Sequence, residues 1–264
     1  MTPTDAIELA DQVVVVTGAG DGIGAEIARQ LGAAGATVVV TDIDRERAEI
    51  VAKEVSTAGG AAHAARLDVT DRAAIGAVLD ETVVRYGRLT TLVANAGVSS
   101  MHRFEDIPPA EWDRNLAVNT TAVFASGQEA VRRLVRPGGA IVNIASMAAK
   151  QGRVPYLAHY VASKFAVVGL TQAMAYELGP VGIRVNSVCP GFVATAMQER
   201  ELRWEAELAG STPDQVRDGW VADTPLGRLE EPADVARAVV FLCSPAASFI
   251  TGEALAVNGG AFMD

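Results

Sequence analysis

Cysteine is scarce in this chain, with two, Cys189 and Cys243, among 264 residues. Both lie in apolar segments and form no disulfide framework. No Cys-x-x-Cys or Cys/His spacing marks a zinc site, so no metal is expected. They read as buried thiols of a reducing compartment. Positive charge is also short: 22 Lys and Arg stand against 32 Asp and Glu, a net charge of −10. Nucleic acid and anionic membrane surfaces are therefore poor partners. No apolar run approaches the length of a membrane span. The stretch 1–12 contains Asp5, Glu8 and Asp11 and lacks the basic start and apolar stretch of a signal peptide. A soluble, cytoplasmic protein is expected. No linker, internal repeat or low-complexity block breaks the chain, so residues 1–264 are expected to form one domain.

Hydrophobic residues make up 50 % of the chain and charged ones 20 %, enough apolar material for a layered α/β core. Short Val-rich runs alternate with helical patterns. Strands are predicted at Val13–Thr17, Thr37–Thr41, Ala61–Leu67, Thr91–Ala94, Ala140–Ala145, Ile183–Val188 and Ala254–Val257. Helices are predicted at Gly22–Ala34, Arg45–Ala58, Asp71–Tyr86, Ala110–Arg136, Tyr156–Leu178 and Pro232–Cys243. The alternation implies a parallel sheet of about seven strands with helices on both faces. The strands read as continuous apolar runs, as they do when both sheet faces are covered. Phe192–Thr224 is a polar excursion with weak helical patterning and two tryptophans, Trp204 and Trp220. Its length marks it as a substrate lid.

The first strand runs into Thr17-Gly18-Ala19-Gly20-Asp21-Gly22-Ile23-Gly24. Glycines allow a tight turn and close approach of backbone to a ligand. Free N–H groups at the helix start favour a pyrophosphate. The context is the one a dinucleotide site requires: a strand before, a helix after, and an acid beyond the second strand. That acid is Asp42, eighteen positions after Gly24. Its carboxylate can accept from both adenosine ribose hydroxyls and would repel a 2′-phosphate, which favours NAD over NADP. Asp44 is the better cap for the following helix, leaving Asp42 free. Arg45 and Arg47 are the residues that would meet a 2′-phosphate, but a solvated place on the helix fits them better.

Tyr160 and Lys164 stand four residues apart in a helical segment, so their side chains share a face. An ammonium beside a phenol favours the phenolate and lowers its pKa from about 10. A tyrosine so tuned serves as base toward an alcohol or acid toward a carbonyl. Ser146 ends the fifth strand, where ligands of open parallel sheets bind, and is placed to hydrogen-bond a substrate oxygen. The fourth strand likewise ends in Asn95-Ala96-Gly97, small enough to let a cofactor approach. Gln151, His102, Tyr156 and Met147 are candidates for the pocket mouth. His102 and His159 read more simply as solvated or structural residues, and the two tryptophans as packing or subunit contacts.

These motifs in this order resemble the short-chain dehydrogenase/reductase family, in its single-domain branch. The likeness runs from Val13 to about Gly260. It rests on Thr-Gly-x-x-x-Gly-x-Gly at 17–24, Asn-Ala-Gly at 95–97, Ser146, Tyr-x-Ala-Ser-Lys at 160–164, and Pro190-Gly191 followed by Thr195. The resemblance implies a Rossmann-type doubly wound sheet and roles for particular residues. Tyr160 would be the acid/base. Lys164 would hold the nicotinamide ribose and lower the Tyr160 pKa. Ser146 would polarise the substrate oxygen, and Asn119 would organise a proton relay through water and Lys164. Gly18, Asp21, Gly22, Ile23, Gly24, Asp42 and Ile43 would bind the pyrophosphate and ribose. Asp68 and Val69 would contact the adenine. Asn95, Ala96 and Gly97 would lie along the cofactor, with Pro190, Gly191, Val193 and Thr195 at the nicotinamide carboxamide.

The region 190–264 loosely resembles polyol and diol dehydrogenases of the family. A small polyol, diol or sugar alcohol with NAD is therefore the leading expectation. Reduction of a 3-oxoacyl thioester or other ketone is the alternative. A non-catalytic dinucleotide-binding regulator ranks low because Asn119, Ser146, Tyr160 and Lys164 are all present. The longer epimerase or dehydratase branch has a different glycine spacing. The resemblance also implies a homotetramer.

Overall fold

The computed structural model describes residues 7–263, so the first six residues of the signal-peptide reading lie outside the described residues. Seven parallel strands form one sheet in the order β3-β2-β1-β4-β5-β6-β7. They are β1 Val13–Thr17, β2 Thr37–Asp42, β3 Ala61–Arg66, β4 Thr91–Ala94, β5 Ala140–Ile144, β6 Arg184–Pro190 and β7 Ala254–Val257. The helices are α1 Gly22–Ala33, α2 Arg45–Thr57, α3 Arg72–Tyr86, α4 Pro109–Leu116, α5 Ala122–Val131, α6 Ala158–Leu178, α7 Ala196–Ala209, α8 Pro213–Ala222 and α9 Pro232–Cys243.

Alternation along each strand divides the core in two. Val14 and Val16 of β1 and Val38 and Val40 of β2 pack with Ile27 and Leu31 of α1, Val51 of α2, and Val239 of α9. Val15, Val39 and Leu92 point the other way, onto Ile75 and Leu79 of α3, Ala125 and Ala130 of α5, and Ala175 of α6. Helices therefore cover both faces, which is why the strands are apolar on both sides. Cys189 and Cys243 are buried free thiols, and burial pushes the Cys243 thiol up to about 12.

Four boundaries differ from the sequence pattern. The helix expected at Ala110–Arg136 ends at Val131 and contains a π-helical turn, Ala117–Thr121. One such turn inside a longer helical pattern is too short for apolar periodicity to single out. The helix expected from Tyr156 starts at Ala158, because Tyr156 takes a φ of 63° and turns the chain before it. β6 runs on to Pro190, paired with Val257 of β7. The polar excursion folds into two regular helices. Thr195 caps α7, accepting from the Gln198 N–H at 3.3 Å, and Thr212 with Gln215 forms a reciprocal capping box on α8.

On the second face, α3 and α5 are joined by charge. Glu129 of α5 meets Arg133 at 2.9 Å, Arg72 of α3 at 2.9 Å and Arg132 at 2.5 Å. Its side chain is only 9 % exposed. Hydrogen bonding from Arg133, with help from Arg72 and Arg132, lowers its carboxyl to about 2. Such a group stabilises the fold above its ordinary pKa, and the benefit is lost as pH falls toward about 2. Glu129→Gln should cost about 1–3 kcal/mol at neutral pH, read as a lower thermal midpoint. The gap to wild type should close in melts taken at progressively lower pH.

Candidate active site

Strand order reverses between β1 and β4, and the crevice at their carboxyl ends is where open α/β sheets bind ligands. A cleft of about 640 Å³ occupies this place. Its floor begins with the glycine turn. Gly18 has a φ of +60°, and a Cβ there would lie 2.8 Å from the Ala96 Cα, so only glycine fits. A Cβ on Gly24 would lie 2.2 Å from the Gly18 carbonyl oxygen and 2.4 Å from the Asn95 amide nitrogen. The start of α1 is capped differently from its neighbours. Asp44 accepts from Glu46 and Arg47 at the start of α2, and Asp71 from Ala73 and Ala74 at the start of α3. Of the backbone N–H groups at the start of α1, Asp21 accepts from Gly22 alone, leaving those of Ile23 and Gly24 uncovered by its carboxylate. That arrangement fits a pyrophosphate.

At the adenosine end, Asp44 caps α2, as expected, but Asp42 is not free. Its Oδ2 accepts from the Gly20 N–H at 2.9 Å and its Oδ1 from the Asp44 N–H at 3.0 Å. The carboxylate is thus pinned across the glycine turn while still lining the cleft with Ile43. Arg45 pairs with Glu49 at 2.8 Å, on the surface. Arg47, by contrast, lines the cleft, 3.5 Å from Asp21 and 3.4 Å from Asp44. Val69 reaches the cleft together with Leu67 and Thr70. Asp68 does not: its carboxylate accepts from the Thr70 N–H at 2.9 Å and the Thr70 hydroxyl at 2.7 Å. Those bonds lower its pKa. It shapes the turn that presents Val69.

In the centre, Asn95, Ala96, Gly97, Ser146, Tyr160 and Lys164 come together along the cleft. Tyr160 sits on the floor of the cleft, surrounded by protein, with the Ser146 hydroxyl as hydrogen-bond partner. Burial raises the Tyr160 pKa, the Glu201 carboxylate raises it further, and the Ser146 bond pulls it back. Lys164 is 4 % exposed and donates to the Ile144 carbonyl at 2.9 Å. Its Nζ lies 5.6 Å from the Tyr160 ring centre. Burial lowers it to about 8. The expected lowering of Tyr160 by Lys164 is thus outweighed by desolvation of both groups.

Asn119 does not line the cleft. It is fully buried in the π-helical turn. Its Oδ1 accepts from the Val98 N–H at 2.9 Å, and its Nδ2 donates to the Val98 carbonyl at 2.9 Å and reaches Ser163 Oγ at 3.1 Å. A Cβ on Gly97 would lie 3.4 Å from Asn119 Oδ1 and 3.7 Å from Lys164 Nζ. Asn119 and Lys164 therefore stand together behind Gly97, the amide fixing the loop after β4.

The opposite wall comes from residues 190–222. Pro190, Gly191, Val193 and Thr195 all line the cleft. Of the four residues proposed for its mouth, only Met147 does; Gln151, His102 and Tyr156 do not. His159 is buried and structural, 2.9 Å from the Ser100 hydroxyl. Trp220 lines the cleft, stacked on Phe192 with centres 5.0 Å apart, so it is more than lid packing. Two carboxyl groups escaped the sequence reading. Glu201 of α7 is bound by the Ser99 hydroxyl and lines the cleft. Glu230 holds the Gly191 N–H at 2.7 Å, and its backbone bonds Phe192 and Ala194. Burial raises Glu230 to about 8. Nothing in their sequence surroundings separates them from surface glutamates.

Known proteins agree with this geometry. A family model described as enoyl-(acyl carrier protein) reductase matches residues 18–261. The 2-(S)-hydroxypropyl-CoM dehydrogenase 3 of Xanthobacter autotrophicus is 40 % identical over 253 residues, covering 96 % of this chain and 97 % of that one. The structure of a 7α-hydroxysteroid dehydrogenase complexed with NADH and 7-oxo glycochenodeoxycholic acid superposes with a TM-score of 0.87 at 35 % identity, covering 100 % and 99 % of the two chains. That of a putative NAD(P)-dependent gluconate 5-dehydrogenase from Beutenbergia cavernae, with NADP bound at low occupancy, gives 0.85 at 35 % identity, with 97 % and 98 % covered. With the seven-stranded sheet, the glycine turn and the Ser146–Tyr160–Lys164 cluster in place, the chain belongs to the short-chain dehydrogenase/reductase family, oxidoreductases acting on CH–OH groups.

Proposed function

We propose that this protein transfers hydride between NAD and a secondary alcohol or ketone, and that its substrates are small polyols, diols or sugar alcohols. The observation that carries the reading is the meeting of Ser146, Tyr160 and Lys164 in the same cleft as the glycine turn. Bound NAD would accept or return the hydride. Residues around the glycine turn would hold its pyrophosphate, Asp42 its adenosine ribose and Lys164 its nicotinamide ribose. Val193 and Thr195 would meet the carboxamide. The chain's own work is to bind the substrate oxygen between Ser146 and Tyr160, orient the carbon, and move one proton at the Tyr160 hydroxyl. Ser146 and Tyr160 together stabilise charge developing on that oxygen. Residues 192–224 act as the lid of a single-domain enzyme, a reading supported by their apolar contact through Phe192 and Trp220.

Tyr160→Phe removes the proton carrier and leaves the ring. Turnover should fall by roughly 10²–10⁴-fold while NADH binding, followed by quenching of protein fluorescence, changes little. Substantial residual turnover would defeat the assignment. The raised Tyr160 pKa also fixes a sign. The hydroxyl keeps its proton at neutral pH, the state needed to protonate a ketone oxygen. Alcohol oxidation needs the proton removed, so initial oxidation rates should rise from pH 7 to pH 10, whereas ketone reduction should not. Equal pH profiles in the two directions would contradict this.

NAD is preferred because Asp42 is held beside Gly20 by two backbone bonds and cannot swing away from a 2′-phosphate. Asp42→Asn keeps an acceptor for Gly20 but loses the charge. It should cost NAD about 1.5–3 kcal/mol, roughly 10–100-fold in kcat/KM, and raise the use of NADP. Equal kcat/KM for NAD and NADP in the wild type would refute the preference. A panel of polyols, diols, hydroxy acids and steroids with NAD, and of ketones and acyl thioesters with NADH, tests the substrate class. Better turnover of a 3-oxoacyl thioester than of any diol or polyol would move the assignment to reduction.

A homotetramer is part of the proposal. Phe124 of α5, Phe165 and Tyr176 of α6 and Trp112 of α4 are large exposed apolar residues on the helices that would form one interface. Gel filtration should give a mass near four copies of 27.5 kDa; a monomer at working concentration would exclude it.

A further inference from the structure

Glu201 stands in the second turn of α7, and its side chain faces inward against the loop after β4. The residue is 9 % exposed. Its Oε1 accepts from the Ser99 hydroxyl, itself on a residue 8 % exposed. It lines the same cleft as Tyr160 and Ser146. Among the described ion pairs none engages its carboxyl; Arg200 acts on it through space only. Burial raises its pKa more than Ser99 and Arg200 lower it, so ionisation costs more there than in water. Neighbouring segments supply apolar walls: Met101, Met147, Leu157, Phe192 and Trp220. Glu205, one turn further along α7, is tied to the Trp220 side chain and offers no equivalent group.

A carboxyl that is dry, has no bonded cation and has one oxygen committed to Ser99 keeps one oxygen for a ligand. In the neutral form that oxygen carries a donor proton. Glu201 and Tyr160 line one cleft, so the carboxyl can meet a substrate held at Tyr160. The reacting oxygen belongs to Tyr160 and Ser146, so a donor beside them suits a second substrate oxygen. An anionic group at this point would stand against a carboxyl that is costly to ionise, and a purely apolar substituent would leave that carboxyl unsatisfied.

We propose that the Glu201 carboxyl, oriented by Ser99, binds a second, neutral oxygen of the substrate, so that the preferred substrates carry a hydroxyl or oxo group beside the reacting carbinol. This rests on the hydride-transfer reading above and narrows its substrate class to vicinal diols and hydroxyketones.

Matched pairs test it: 2,3-butanediol against 2-butanol, and 1,2-cyclohexanediol against cyclohexanol, with NAD. Wild type should favour each diol by roughly 10–100-fold in kcat/KM. Glu201→Gln keeps shape and a neutral donor and should hold that ratio within a few-fold. Glu201→Leu should bring the ratio close to unity, through a KM that rises for the diol relative to the simple alcohol. If Glu201→Leu does not fold, Ser99→Ala supplies the same test: its diol preference should fall to between those of wild type and unity. Two results overturn the assignment and leave hydride transfer standing: wild type oxidising both members of each pair equally, or a diol preference untouched by Glu201→Leu and Ser99→Ala. A Glu201→Gln variant that loses the preference would show that an ionised carboxylate is needed and would also overturn it. Absence of turnover with every alcohol and ketone would instead sink the functional reading, and this assignment with it.

Discussion

The whole site hangs on a small knot where the strand order reverses. Thr17, the last residue of β1, accepts at its hydroxyl from the N–H groups of Asn95 at 3.0 Å and Ala96 at 3.1 Å. Asn95 returns its side-chain amide to the carbonyls of Thr17 and Gly18, both at 2.9 Å. Two strands that diverge into separate crossovers are thereby locked at their carboxyl ends. Without the knot the glycine turn would lack the wall that makes glycine compulsory at Gly18 and Gly24. The loop after β4 would lose its starting point. Asn119 then takes the same loop one step on, at Val98, and Ser99 takes it to α7. The reach of the site, from phosphate cradle to far wall, is one chain of backbone-directed hydrogen bonds.

Desolvation is the second constraint, and it sets the chemistry. Lys164 is buried against a carbonyl and not against a carboxylate. An ion pair would have fixed its charge; a carbonyl leaves the ammonium only moderately favoured, which is why it falls to about 8. Tyr160 is driven the opposite way by the same dry surroundings. The two pKa values are therefore pushed apart, the phenol above its ordinary value and the ammonium below, since burial penalises phenolate and ammonium alike. In the proton transfer proposed for Tyr160, local hydrogen bonds, chiefly the one with Ser146, would then count for more than bulk solvent.

The fold was largely legible because both periodicities were strong. Four-valine β1 and the apolar stripe of α1 leave no competing arrangement, and the glycine turn between them states its own purpose. The legible part of the site was the part made by strand ends: the turn, Asn95–Gly97, Ser146 and Pro190–Gly191 all sit where a parallel sheet presents ligands. Errors arose where a side chain had two possible partners. Asp68 chose Thr70, two residues away, over the cleft. Asp42 chose Gly20 as well as the cleft. Arg47 stays exposed, as expected, but also pairs with Asp21 and Asp44 at the edge of the cleft. Such choices depend on spatial neighbours that spacing does not encode. The π-helical turn at Asn119 was hidden because it is a single short turn inside a longer helical pattern. The helices of 196–222 were legible after all, through Thr195 and the Thr212–Gln215 box, but polarity concealed their buried sides.

The two halves of the cleft are held by different kinds of bond, and this bears on how they are read. The dinucleotide half is fixed by backbone groups and small residues, so its sequence is confined to glycine, alanine, asparagine and threonine. The substrate half is attached by buried acids: Glu201 to Ser99, and Glu230 to the Gly191 N–H. Neither acid has a hydrogen-bonded cation among the described residues, and burial raises both. An attachment of this kind tolerates many side chains in principle, because a neutral hydrogen bond is worth little more than about 1 kcal/mol. It is also directional, fixing where one wall stands relative to the reacting oxygen. Burial raises both carboxyls, so they carry less negative charge at this wall than their number alone implies. The acidity of the whole chain, −10 by count, therefore says nothing about the polarity a substrate meets inside, which is set by which carboxyls the lid helices carry into the core.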